Sequence, residues 1–317
     1  MATFPIIDVS ALSEKYLEGD GYLQDISNDP ITKDISDQII DAFSQYGFIY
    51  IKGHGIPENQ INGVFEESRN FFKFDSETKK RFSRTSNDNW GYVPYKVETF
   101  EKIRPFDLKE CFNYLPLTDK TQDMNATTPD FISKNTSFYG VCKKLGVLLI
   151  KAITLGLNTD DKVNFLYNHH NGIGNFSKNA TTLRLLYYPA IEDSSTVLEH
   201  QLRCGEHSDY GTITLLFQDD AGGLQVVSPS GEYVDAKPIP GCIVVNAGDM
   251  LQIWSGQKLK STRHRVVVPT NINKARQSLA FFLHPNNDCV VEDLVNKEQN
   301  VKTNAWDYLM KKFGETY

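Results

Sequence analysis

Of the seven histidines in the chain, only His207, in GEHSDYG, is followed two residues later by a carboxylate, Asp209. Alternate side chains of a strand share a face, so an imidazole and a carboxylate at this spacing converge on one cation. The third ligand must come from another strand, and His264, inside the β-type run of KSTRHRVVVP, is placed to supply it. Two neutral imidazoles and one carboxylate occupy one face of an octahedral Fe(II), leaving three positions for a co-substrate and dioxygen; zinc would close a tetrahedron instead.

Arg276 and Ser278, in ARQSLAFF, are again two apart on a β-type run and point the same way. A guanidinium buried in a barrel needs an anion, and its planar fork matches a carboxylate. The Ser278 hydroxyl adds a further donor. The order H-x-D, His, R-x-S is far more specific than any of its parts.

These residues need a rigid frame, and the hydrophobic periodicity describes one. Between Pro30 and Leu157, ITKDISDQIIDAFSQYG, ENQINGVFEESRNFFKF and FYGVCKKLGVLLIKAITLGL carry apolar residues at helical spacing. GFIYIKGHG, between the first two, reads as a strand of the main sheet. From Thr181 the pattern changes to short runs split by Gly, Pro, Asn and Asp: TTLRLLYYP, TITLLFQ, LQVVS, EYVDA, CIVVNAG, MLQIWS, RHRVVVP and SLAFFLHP. Read as strands, these describe a sandwich or jelly roll, followed by an amphipathic helix in AWDYLMKKFGETY. The division expected is a mainly helical N-terminal region, 1–157, whose strands join the core, and a catalytic jelly-roll domain, 158–317.

The chain resembles the 2-oxoglutarate and Fe(II)-dependent dioxygenases of the isopenicillin N synthase-like class over nearly its whole length. FPIIDVS and GFIYIKGHGIP look like the N-terminal region of that family, and CGEHSDYGTITLLFQDDAGGLQV and NAGDMLQIWSGQKLKSTRHRVV like its metal-binding segments. RQSLAFFLHPN resembles its co-substrate strand. The resemblance implies a double-stranded β-helix core, iron ligands at His207, Asp209 and His264, and Arg276 with Ser278 on the distal carboxylate of 2-oxoglutarate. It also implies a reaction in which 2-oxoglutarate becomes succinate and CO2 while a small organic substrate is oxidised, most often hydroxylated, with ascorbate as an accessory reductant.

Two departures stand out. Many members have an Asn-x-Tyr-Pro segment; here LLYYP offers Tyr188 for the co-substrate, but Leu186 stands where the Asn would be. The stretch VVVPTNINKA is slightly longer than the family pattern and reads as an extended hairpin turn.

Composition narrows the partners. A net charge of -7 and a pI near 5.5 argue against a polyanion such as nucleic acid and favour a small molecule. Five cysteines with no CxxC pair fit neither a disulfide framework nor a zinc knuckle. The N-terminus lacks a basic region followed by an apolar stretch, and no run of 18 apolar residues occurs, so a cytoplasmic monomer is expected. The sequons starting at Asn125, Asn135, Asn175 and Asn179 are read as chance.

His54, in KGHGIP, reads as a turn-capping histidine, and His169 and His170 adjoin NGIG, which lacks the glycine fingerprint of a nucleotide site. Trp90, Tyr92 and Tyr95, in NWGYVPY, either line a substrate mouth or pack in the core. Two competing functions remain: an Fe(II) oxidase of the same fold that uses no 2-oxoglutarate, and a non-catalytic jelly roll that binds metal or ligand. Turnover coupled to succinate release separates the first, and iron binding without oxygen consumption would mark the second.

Overall fold

The structure, a computed structural model, describes residues 4–85, 89–99, 105–116, 124, 127–157, 164–269, 272–295 and 302–316. Its frame is two facing sheets. The larger runs β1 (Ile6–Asp8), β2 (Phe48–Lys52), β10 (Cys242–Ala247), β7 (Ile213–Gln218), β12 (Arg276–Leu283), β5 (Thr182–Tyr188), β4 (Glu110–Tyr114) and β3 (Gly91–Val93), in that spatial order. The smaller runs β6 (Cys204–His207), β11 (His264–Val266), β8 (Leu224–Val227) and β9 (Tyr233–Asp235). The pairs are antiparallel except β1 with β2. A separate hairpin, β13 (Val290–Glu292) with β14 (Lys302–Asn304), stands before the last helix.

The central strands of the large sheet are buried on both faces, and the period of two assigns each face a task. Leu183 and Leu185 on β5, Leu279, Phe281 and Leu283 on β12, and Ile213, Leu215 and Phe217 on β7 join one hydrophobic core. Three helices build the rest of that core: α2 (Pro30–Gln45), α3 (Glu58–Phe72) and the long α5 (Pro129–Leu157), with the short α1 (Ser10–Tyr16), α4 (Ser76–Lys80) and α6 (Phe165–Asn168) at its margin. The Asp29 side chain caps α2 by accepting from Ile31 N–H, and its Ile35, Ile39, Ile40 and Phe43 face the sheet at helical spacing. The opposite face, between the sheets, carries a smaller apolar cluster with Phe48, Leu186, Val226, Val266 and Ala280. Arg184, Tyr188, Asn246, Arg276 and Ser278 sit in this interior too, so the sheet is greasy toward the helices and polar toward the barrel.

The helical and β assignments from periodicity hold over most of the chain, including the final helix α8 (Ala305–Thr316). MLQIWS is a correction: it lies in a helix, α7 (Asp249–Trp254), not a strand. Met250, Leu251 and Trp254 are its buried residues, spaced i, i+1, i+4, and Asp249 provides the acidic first turn that helices favour. Six residues are too few for period alone to separate the two structures. Asp209 is a second correction, since β6 ends at His207 and the carboxylate sits just past it. Strand β11 stops at Val266, and residues 270–271 of the following turn lie outside the described residues, as does the sequon Asn125. Asn135 and Asn179 are buried.

Among the described residues no helix is long and apolar enough to cross a membrane. All five cysteines are free, four of them buried.

Candidate metal and co-substrate site

His264 and His207 are register partners on β11 and β6, and this pairing brings the two imidazoles together with ring centroids 4.3 Å apart. Asp209 Oδ1 lies 3.8 Å from His207 Nε2 and 3.7 Å from His264 Nε2. Ligating atoms of all three residues lie within 4.8 Å of one another. Each ring is oriented through its other nitrogen: His207 Nδ1 is 2.8 Å from the Gly205 carbonyl, and His264 Nδ1 is 3.1 Å from that of Thr262. A carbonyl only accepts, so Nδ1 carries the proton and Nε2 turns its lone pair toward Asp209.

The carboxylate is held just as firmly. Asp209 Oδ2 accepts from Thr214 Oγ1 at 2.5 Å and Asn246 Nδ2 at 2.7 Å, leaving Oδ1 for the imidazoles. Burial works to raise the Asp209 pKa, but the two histidines and these hydrogen bonds outweigh it and hold the carboxyl below its ordinary value. Burial and the neighbouring His264 push His207 down to about 3, so its imidazole is neutral at physiological pH. A charged carboxylate and a neutral imidazole are the forms a metal ligand requires.

The helix misread as a strand supports this arrangement. At its start, Gly248, Asp249 and Met250 donate backbone N–H groups to the carbonyls of Thr212, Asp209 and Gly211. A Cβ at Gly248 would lie 2.4 Å from the Gly211 oxygen, so glycine permits the close approach that anchors the Asp209 loop.

On one side of the triad a cavity of about 50 Å³ is bounded by Phe48, Tyr188, Leu224, Arg276 and Ser278, among others. Arg276 is 1% exposed. Its Nη1 donates to Ser278 Oγ at 3.1 Å, its Nη2 to Gln218 Oε1 at 3.0 Å, and its guanidinium lies 4.7 Å from the centroid of the Tyr188 ring. Among the described residues no carboxylate pairs with it, and its Nε is buried without a partner. Such a cation is costly unless an anion joins it. Tyr188, register partner of Arg276, is pushed up to about 12 by burial, so its phenol keeps its proton.

On the other side a cavity of about 80 Å³ is shared by β4, β5, the loop holding Asn89, and α8. Lys109, Arg184, His284, Tyr210, Phe313 and Thr316 lie in its wall. His207, Asp209, Leu186, Cys204 and Phe282 face both cavities, which places the triad at their junction.

The residues singled out in the sequence lie at the triad and around the first cavity. Asn246 and Thr214 carry a signal not used there, as polar residues facing inward on otherwise apolar strands. Lys109, Asn113 and Arg184 have the same mark, alternating with Cys111 and Leu186. Two of the three loop aromatics pack in the core, Trp90 on Phe112 and Tyr92 donating to Glu110 at 2.6 Å, while Tyr95 is exposed and lines neither cavity. Asn89, the residue before them, is the one that reaches the cavity. His54 does terminate a turn, accepting from Ile56 N–H, and His170 is bound between Leu166 O and Thr212 Oγ1.

Comparison with known proteins agrees with the geometry. Residues 179–285 match the profile of the 2OG-Fe(II) oxygenase superfamily, and residues 4–135 match that of the non-haem dioxygenase in morphine synthesis N-terminal. Homoarginine-6-hydroxylase of Glycine max is 30% identical over 308 residues, covering 92% of this chain and 88% of that protein. A full-length Neurospora crassa protein solved in complex with alpha-KG and thymine superposes with a TM-score of 0.80 at 31% identity, over 99% of this chain and 97% of that one. JOX2, solved with 2OG, Fe and JA, gives a TM-score of 0.76 at 25% identity, over 97% of this chain and 84% of that one. The frame is thus a jelly roll with flanking helices, the cofactors are Fe(2+) and 2-oxoglutarate, and the chain belongs to the 2-oxoglutarate and Fe(II)-dependent oxygenases of the isopenicillin N synthase-like type.

Proposed function

We propose that this hydroxylating dioxygenase holds Fe(2+) through His207, Asp209 and His264, anchors 2-oxoglutarate through Arg276 and Ser278 with Tyr188 beside them, and oxidises a small organic molecule in the second cavity. The observation that carries this reading is Arg276: a fully buried cation with no carboxylate partner among the described residues and an unpaired Nε. The distal carboxylate of 2-oxoglutarate supplies the missing charge in the geometry a guanidinium prefers.

When bound, iron and 2-oxoglutarate supply the oxidising chemistry, in which dioxygen is consumed, 2-oxoglutarate leaves as succinate and CO2, and a substrate carbon gains a hydroxyl. The protein's part is positional. Gly205 and Thr262 fix the imidazole tautomers, Thr214 and Asn246 fix the carboxylate, and the Phe48 ring packs edge-on against His264 with centroids 5.2 Å apart. The apolar walls of Leu186, Leu224 and Phe282 keep bulk water from the junction. The split into 1–157 and 158–317 is proposed as a division of labour: the second part carries the five polar anchors, and the first supplies β4 and the packing helices.

Calorimetric titration with Fe(II) under argon tests the ligand set. One site should be seen in the wild type and none in Asp209→Ala, and succinate release should require added 2-oxoglutarate. Turnover without 2-oxoglutarate would favour the oxidase reading, and bound iron without oxygen consumption the storage reading. Thymine and L-homoarginine, suggested by the relatives, are the first substrate probes. We also propose a cytoplasmic monomer: the free cysteines support a reducing compartment, and exposed apolar residues such as Ile6, Ile31, Val290 and Met310 come from separate elements. Sedimentation equilibrium tests the second point.

A further inference from the structure

The second cavity differs from the first in how its charges are closed. Lys109 Nζ pairs with Glu98 Oε2 at 3.1 Å and also with Asp107, and Arg184 meets Glu98 Oε1 at 3.0 Å. The Lys109, Glu98 and Asp107 side chains are all less than 5% exposed. Among the described residues, the buried Lys109 and the partly buried Arg184 are thus paired with two buried carboxylates. The Asn side chains continue the network: Arg184 Nε donates to Asn113 Oδ1 at 2.7 Å, Asn113 Nδ2 to Asn89 Oδ1 at 2.8 Å, and Asn89 Nδ2 to Thr182 Oγ1 at 3.2 Å. Arg84, which also donates to Asn89, is only partly buried and retains solvent around its charge.

His284 also lines this wall and, among the described residues, takes no part in the network. It is 7% exposed and faces the same cavity as His207 and Asp209. Its Nδ1 is buried without a partner, and no hydrogen bond reaches its Nε2 among the described residues. Burial pushes its pKa down to about 4, which leaves a neutral ring that donates from one nitrogen and accepts at the other. Leu186, Phe282, Phe313 and Tyr210 provide apolar surface around it.

We propose that the compound oxidised by this chain is uncharged, and that His284 is the specificity-determining contact that hydrogen-bonds and orients it. This rests on the site reading above. A charged substrate would enter a low-dielectric space where Lys109 and Arg184 already pair with Glu98 and Asp107, so it would either break a buried pair or remain without one. A neutral molecule with a donor or acceptor avoids both penalties and can hydrogen-bond the His284 ring at Nε2.

The test is anaerobic calorimetry on the full chain loaded with Fe(II) and 2-oxoglutarate. The neutral probes are thymine, uracil and 2-pyrrolidone; the charged ones are L-homoarginine and hexanoate. At least one neutral probe should bind, the charged ones should not, and His284→Leu should weaken the neutral probe about tenfold or more, as expected for loss of one buried hydrogen bond. His284→Asn should recover most of that loss, and both variants should bind 2-oxoglutarate within about twofold of wild type, because His284 does not line that cavity. Binding of a charged probe, silence from every neutral one, or equal damage to 2-oxoglutarate binding in His284→Leu would each overturn the proposal. A wild type that fails to bind 2-oxoglutarate at all would instead bring down the site reading, and this proposal with it.

Discussion

The two cavities meeting at the triad share a wall but not an electrostatic condition. Toward β12, Arg276 is buried with hydrogen bonds to Ser278 and Gln218 and no carboxylate partner among the described residues. Toward β4, Lys109 and Arg184 are matched by Glu98 and Asp107. Both arrangements bury cations, and burying an ion is costly in either place. The difference lies in where compensation comes from: the chain completes one side itself and leaves the other to a ligand. The uncompensated side calls for an anion, and the compensated side favours a neutral guest.

The largest effect expected from breaking this contrast falls on the compensated side. Lys109→Met leaves Glu98 and Asp107 buried without their shared cation and should lower stability by about 3–5 kcal/mol in urea unfolding. A loss below about 1 kcal/mol would mean that solvent reaches the cluster and that the two sides are alike.

A smaller effect sharpens the junction between the cavities. Asn246→Ala removes one of the two hydrogen bonds on Asp209 Oδ2 and should weaken Fe(II) binding about 10–100-fold in a competitive chelator assay, with the fold intact. Unchanged affinity would show that Thr214 alone orients the carboxylate.

The smallest effect concerns a histidine outside both cavities. Burial holds His170 at about 3, against an ordinary value of 6.5. Above pH 6.5 the ring is neutral in folded and unfolded chains, and stability is flat with respect to it. Between pH 6.5 and 3 the unfolded chain takes up a proton that the folded one refuses, so stability falls with falling pH, by up to about 1.4 kcal/mol per pH unit. Urea midpoints of metal-free protein at pH 7 and 5.5 should therefore differ more in wild type than in His170→Asn. Equal differences would place the proton uptake elsewhere.

The contrast also separates what was legible in the sequence from what was not. His207 with Asp209 and Arg276 with Ser278 stand in short motifs at spacings of two, and His264 stands in a β-type run, so the sequence points all five toward one interior. Asp209 reaches the same place from beyond the strand end, held by the N-terminal backbone of α7, a helix whose apolar residues also suit a strand. The compensated cluster was legible only in part. Asp107 and Lys109 stand two apart and pair locally, but Glu98 lies on a separate loop and meets Lys109 and Arg184 through tertiary contacts that no local spacing announces. His284 adjoins the co-substrate strand, and only the cavity distinguishes it from a packed core histidine. The helices were legible because their apolar stripes are long, whereas Trp90 and Tyr92 belong to the core through contacts with Phe112 and Glu110 made across the sheet.

The division between the two cavities is tested most directly by titrating Fe(II)-loaded protein with 2-oxoglutarate under argon, following the visible charge-transfer band of the chelated keto acid in wild type, Arg276→Ala and Lys109→Met. The account predicts a band in all three, with the 2-oxoglutarate Kd raised about 30-fold or more by Arg276→Ala, as for loss of a buried charge pair, and changed by no more than about twofold in Lys109→Met. Equal weakening in the two variants, or an Arg276→Ala protein that binds as tightly as wild type, would contradict it.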